Sequence, residues 1–177
     1  MPEDAPNAEP SNSATLSNSN PVPGYDVEPV PPGQTKAGVD LAGHKGLIDQ
    51  LSQVLGAENV KTDDESRAFF AEDTFRSFET PLAAISPIST EDLSRAASAC
   101  HDARVALVPR GGGMSYTDGY LHTRVDSITV DTQKMDRILE INEEDMYVTV
   151  ECGCTWAELN DALKEKDLRT PYWGPLS

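Results

Sequence analysis

Val105-Ala106-Leu107-Val108-Pro109-Arg110-Gly111-Gly112-Gly113-Met114-Ser115-Tyr116 is the stretch on which the fold turns. Its first half is a short apolar run that predicts a buried strand. Three consecutive glycines follow. Glycine enters positive-φ conformations without a Cβ penalty and lets backbone come close to a ligand. Successive backbone N–H groups in such a turn can converge into an anion-binding nest. Taken alone, the triple glycine is either a flexible turn or a phosphate cradle. Spacing removes two common phosphate motifs: there is no Gly-x-x-x-x-Gly-Lys-Ser/Thr, and no Gly-x-Gly-x-x-Gly opening a helix. Gly113 leads instead into Met114-Ser115-Tyr116 and an Asp118-Gly119 turn, so a nest here works without a helix dipole behind it.

Upstream, Pro81-Leu82-Ala83-Ala84-Ile85-Ser86 predicts another buried strand, stopped by Pro87. Ser89 or Thr90 then caps a helix, with Asp92 in its first turn and Leu93, Ala96, Ala97, Cys100 and Arg104 along one stripe. Strand, helix and strand in so few residues form a βαβ unit, which predicts parallel strands and a right-handed crossover. The glycines sit at the carboxyl end of its second strand, where open α/β sheets bind ligands.

Residues 44–57 place Leu47, Ile48, Leu51, Val54 and Leu55 at helical spacing, and 64–72 predicts a second, short helix. Further strands are predicted at 127–131, 138–142 and 147–152, the last two joined by the acidic turn Glu143-Glu144-Asp145. Thr155-x-x-Glu158 is a capping box, with Cys154 and Leu159 as its hydrophobic staple. Its helix runs to about Lys166 and buries Leu159, Ala162 and Leu163. The last residues, Pro171 to Ser177, carry Tyr172, Trp173 and Leu176 with no closing element, which reads as a chain cut inside its domain.

Residues 1–40 differ in kind: they hold eight of the 13 prolines, are rich in Asn and Ser, and lack periodic apolar residues. Such a segment cannot bury enough surface to offset its ordering entropy, so 1–40 is read as a disordered tail and 41–177 as the ordered domain. There is no basic start followed by an apolar run, hence no secretory signal, and no stretch long enough for a membrane helix. The chain is read as cytoplasmic. Its formal charge is −16, of which residues 41–177 carry −11 (13 basic against 24 acidic). That field repels nucleic acid and anionic membrane, and any anionic ligand must be held by local backbone dipoles.

Cys100, Cys152 and Cys154 read as free thiols, and with His44, His101 and His122 scattered no metal site is expected. His101 suits a helix C-terminus, and His122 is read as lying in a surface turn. Trp156 is expected to pack on its own helix. Arg110 is left between a phosphate and a surface carboxylate, and Tyr116 between the ligand and the core, with core favoured.

Val108 to Tyr116 resembles the pyrophosphate loop of the FAD-linked oxidases, the vanillyl-alcohol-oxidase-like or PCMH-type flavoproteins. Pro81 to Asp92 resembles that family's first strand and capped helix, and Val148 to Leu159 its strand, glycine and Trp-x-x-Leu helix. Asp167-Leu168-Arg169-Thr170-Pro171 and Gly174-Pro175-Leu176-Ser177 look like the approach to a second flavin-contacting loop. The resemblance runs in order over about 45–177.

It implies an α+β fold: the first half of a PCMH-type FAD-binding domain, with a small parallel βαβ sheet followed by a second mixed sheet with helices. FAD would extend between two subdomains. The implied cofactor-binding residues are Arg110, Gly111, Gly112, Gly113, Met114, Ser115 and Tyr116, together with Gly174, Pro175, Leu176 and Ser177. Some members attach FAD through a histidine directly after the glycines. Met114 stands there and cannot form that link, so FAD at this loop is expected to be non-covalent. No residue reads as catalytic. The implied function is the FAD-binding part of an oxidoreductase acting on a 2-hydroxy acid such as glycolate or lactate. Sugar or aldonolactone oxidation and a non-catalytic binding module are the alternatives. The substrate would be recognised by a region outside this chain.

Overall fold

The computed structural model describes residues 41–73 and 77–172. The tail expected over 1–40, Trp173, and the site residues Gly174, Pro175, Leu176 and Ser177 lie outside the described residues. Two sheets organise the rest. The first has the order β1-β2-β4-β3: β1 (Val60–Lys61), β2 (Ala83–Ile85), β4 (Ser127–Asp131) and β3 (Ala106–Arg110). The second pairs β5 (Ile138–Asn142) with β6 (Tyr147–Val150).

β2 and β3 are parallel, as the βαβ pattern predicts, but they are not neighbours. β4 lies between them and pairs parallel with both. Strand directions mix in the first sheet, where β1 joins β2 antiparallel, whereas β5 and β6 form an antiparallel hairpin.

Helix α1 (Lys45–Leu55) buries Leu47, Leu51 and Leu55, one residue per turn on a single face. Helix α3 (Thr90–Asp102) buries Ala96, Ala99 and Cys100 and packs against α1. Both lie on the sheet face that carries Ile85, Ile128 and Val130, and together these side chains form the core. Fully burying one such aliphatic side chain stabilises by roughly 1.5–3 kcal/mol. The Ser89 hydroxyl accepts from the Asp92 amide at 3.1 Å and caps α3. The helix ends where Arg104 takes φ 57 and the Val105 amide returns to the Cys100 carbonyl at 2.9 Å.

Alternation along β4 sends Ser127, Thr129 and Asp131 to the opposite face, where they are also buried. This second face is polar. Helix α2 (Asp64–Phe70), capped by Asp63, anchors there: the buried Arg67 donates to the Pro81 carbonyl at 2.8 Å and to Asp64 at 2.9 Å. Helix α4 (Trp156–Lys164) follows the hairpin with its capping box complete, Thr155 accepting from the Glu158 amide at 3.2 Å and Glu158 from the Thr155 amide at 2.9 Å. It ends before Lys166; Leu159 and Leu163 are buried and Ala162 is half-buried. Among the described residues no helix is long and apolar enough to cross a membrane.

Candidate functional site

β3 and β4 end side by side, Arg110 opposite Asp131. Beyond them the chain makes the glycine loop on one side and a turn over 132–136 on the other. The two are tied together: the Thr132 amide donates to the Arg110 carbonyl at 3.0 Å, and Gln133 Nε2 donates to the Gly111 carbonyl at 3.3 Å. The segment after β6 forms a third wall. The Gly153 amide donates to the Met135 carbonyl at 2.7 Å and the Cys154 amide to the Glu151 carbonyl at 3.1 Å. Gly153 is required by this closeness, since a Cβ there would lie 2.8 Å from the Met135 carbonyl oxygen and nearer still to that of Thr132. Arg137 closes the base of the wall, its guanidinium meeting both Glu151 oxygens at 3.0 and 2.6 Å. That pairing holds the Glu151 carboxyl below the usual carboxylate range.

Between the three walls lies an open cleft of about 900 Å³. Gly111, Gly112, Gly113, Met114 and Ser115 line one side, with Tyr120. Gln133 and Asp136 line the second, and Cys152 to Trp156 with Glu158 the third. The amides of residues 111–115 donate to no acceptor among the described residues. A Cβ on Gly111 or Gly112 would meet nothing within 4 Å, so both main-chain segments face open space. Gly113 is glycine for conformational reasons, with φ 75. Its carbonyl accepts from Tyr120 Oη at 2.6 Å. The Ser115 hydroxyl accepts from the amides of Thr117 at 3.2 Å and Gly119 at 3.1 Å, holding the exit of the loop in a turn.

Arg110 does not pair with a surface carboxylate among the described residues. It is 7% exposed, and its guanidinium lies 4.9, 5.1 and 5.3 Å from the ring centroids of Phe69, Phe70 and Tyr120. Each ring over a desolvated cation is worth up to about 2 kcal/mol. Tyr116 is not in the core: it is 55% exposed. Trp156, 39% exposed, lines the cleft, as does Met114.

His122 is not in a surface turn. It is fully buried on the polar sheet face, its Nδ1 2.7 Å from Ser127 Oγ and its Nε2 2.7 Å from Thr129 Oγ1. Ser127 Oγ donates to the Arg124 carbonyl at 2.6 Å, so it accepts from His122 Nδ1–H and Thr129 donates to Nε2. Burial pushes the imidazole pKa down to about 4.

Among the described residues no lysine or arginine lines the cleft, whereas Asp136 and Glu158 do. The Glu158 carboxylate is engaged by the Thr155 amide and hydroxyl, which keep it ionised below its usual range. The thiols of Cys152 and Cys154 are free. Burial first, then Glu158 and Asp136, pushes the Cys154 pKa up, so this thiol is a poor nucleophile. Among the described residues no group of three metal-ligating side chains converges. The third wall escaped the sequence reading as part of the site. Its only signal was Gly153 at a strand end, between two cysteines and ahead of a capped helix.

The family profile described as "FAD binding domain" matches residues 81–176, from the start of β2 past the end of α4. The chain belongs to the FAD-binding domain family. FAD is the cofactor of this fold, and the described cleft fits it: open glycines, a row of unengaged amides and an open three-walled space of about 900 Å³. The chain is 33% identical over 131 residues to the mitochondrial D-lactate dehydrogenase [cytochrome] 1 of Saccharomyces cerevisiae, covering 69% of this chain and 22% of that protein. It is 32% identical over 128 residues to the glycolate oxidase subunit GlcD of Bacillus subtilis, covering 72% and 27%. Among solved structures, substrate-bound p-cresol methylhydroxylase superimposes with a TM-score of 0.62 at 18% identity, covering 80% of this chain and 27% of that one. The chain thus spans about a quarter of the length of the curated relatives it matches.

Proposed function

We propose that residues 41–177 are the N-terminal part of the FAD-binding domain of an oxidoreductase that oxidises a small 2-hydroxy acid. The observation that carries the reading is the row of unengaged amides at 111–115 on the wall of an open cleft. Amides aimed at a diphosphate make charge-assisted hydrogen bonds, roughly 1.5–3 kcal/mol each. Three or four of them supply roughly 5–10 kcal/mol before the costs of association. Tight retention therefore draws on further contacts to adenine and to the flavin ring, for which Met114 and Trp156 offer exposed apolar surface in the cleft.

Bound FAD supplies a ring that accepts a hydride from a carbon bearing the substrate hydroxyl. This chain's own residues position the cofactor. Gly111 and Gly112 allow close approach, Gly113 and Tyr120 set the shape of the loop, and the 151–155 wall closes the far side. The substrate class rests on likeness to a D-lactate dehydrogenase and a glycolate oxidase subunit. The residues that recognise substrate lie outside this chain.

The test uses the complete protein. It should purify yellow, and added FAD should raise its melting temperature. D-lactate or glycolate should bleach the flavin absorbance under anaerobic conditions, whereas an aldonolactone should not. A colourless protein whose stability ignores FAD defeats the proposal.

A further inference from the structure

The cleft poses a problem of charge. Its ligand carries a diphosphate, its lining among the described residues holds two carboxylates and no cation, and the whole chain stands at −16. One cation lies directly behind the lining. A Cβ on Gly113 would come 2.8 Å from Arg110 Cζ, so the guanidinium packs directly against the glycine loop at Gly113. It has no acidic partner among the described residues, and its Nε is buried with no hydrogen-bond acceptor. The carboxylate facing it across the β3–β4 ladder, Asp131, is engaged elsewhere: it accepts from Ser86 Oγ at 3.3 Å and from the Gln133 amide at 3.2 Å. Aromatic rings surround Arg110 instead, delivered by the end of α2 and by Tyr120.

A buried, unpaired guanidinium is costly, and an apolar side chain of similar size would suit three rings better. We propose that Arg110 is the cationic backing of the diphosphate site. It acts through the Gly113 segment as a positioning and electrostatic residue, and its charge is balanced when the cofactor's diphosphate binds on the other face of the loop. The aromatic cage holds the cation in place without neutralising it, which a carboxylate would do. This inference rests on the reading that residues 111–115 hold the diphosphate.

Arg110→Met in the complete protein separates charge from packing. The cofactor-free variant should melt at the same temperature as the native protein or higher, while its FAD dissociation constant rises by about tenfold to a hundredfold. Arg110→Lys, which keeps a cation over the rings, should recover most of the affinity. A purely structural arginine would behave differently, with stability and affinity falling together in both variants. That result, a Met variant that does not fold, or one that binds FAD like the native protein overturns the inference. A native protein that itself ignores FAD overturns the loop reading, and this inference with it.

Discussion

Tyr120 Oη donates to the carbonyl oxygen of Gly113 at 2.6 Å, across the turn that leaves the glycine loop. The bond fixes the one loop residue that sits at positive φ, and the same ring faces the Arg110 guanidinium. One side chain thereby holds both the shape of the loop and the cation behind it. Tyr120→Phe keeps the ring and removes the hydrogen bond. Its expected cost is about 0.5–1.5 kcal/mol in urea unfolding, with weaker FAD binding than that loss of stability alone would produce.

The three glycines should separate by mutation. Gly112→Ala meets open space and an ordinary backbone angle, so stability should hold within about 0.5 kcal/mol while FAD binding weakens, because the methyl stands where the ligand approaches. Gly113→Ala should destabilise the fold itself by more than about 1 kcal/mol, through positive φ and collision with Arg110. Thermal unfolding paired with flavin fluorescence titration distinguishes the two. Equal behaviour would contradict the geometry.

Gly153→Ala is expected to be the most damaging single methyl. Its Cβ would press on the carbonyl oxygens of Thr132 and Met135, which are backbone and cannot swing aside. A loss of about 2 kcal/mol or more is expected, with the 151–155 wall displaced from the cleft. Chemical denaturation measures it.

His122 makes the fold acid-sensitive. Its folded pKa is about 4, below the unfolded value of 6.5, because burial disfavours the charged ring. The folded state therefore favours the neutral form. The resulting stability is fully present above pH 6.5 and is lost as pH falls from there toward 4, up to about 3 kcal/mol. His122→Gln should flatten the stability profile in that window. Unfolding free energies measured between pH 4 and 7 test this, and an unaltered slope in the variant would refute it.

Much of the fold was legible because its signals are local. The Leu47, Leu51 and Leu55 stripe, the Ser89 cap and the Thr155–Glu158 box each depend on residues within a turn or two, and each stands where the spacing places it. Strand order was not legible. β4 inserts between β2 and β3, and nothing within 81–110 signals a strand that arrives from 127–131. His122 was misread for the same reason. A polar residue two places before Arg124 looks like surface, until the polar face of β4 supplies two hydroxyls to both of its nitrogens.

By itself the sequence determined that a strand ends in three glycines with no helix after them to lend its dipole. Conformational freedom and end-capping belong to neighbouring residues, and neighbours are written in order. Tertiary structure alone decided what stands around that loop: a wall from 151–155, a turn from 132–136, and Arg110 turned inward among Phe69, Phe70 and Tyr120. Burial and charge balance depend on which distant segments pack together. The same arginine on an open edge would have met water, and here it meets three rings and the back of Gly113.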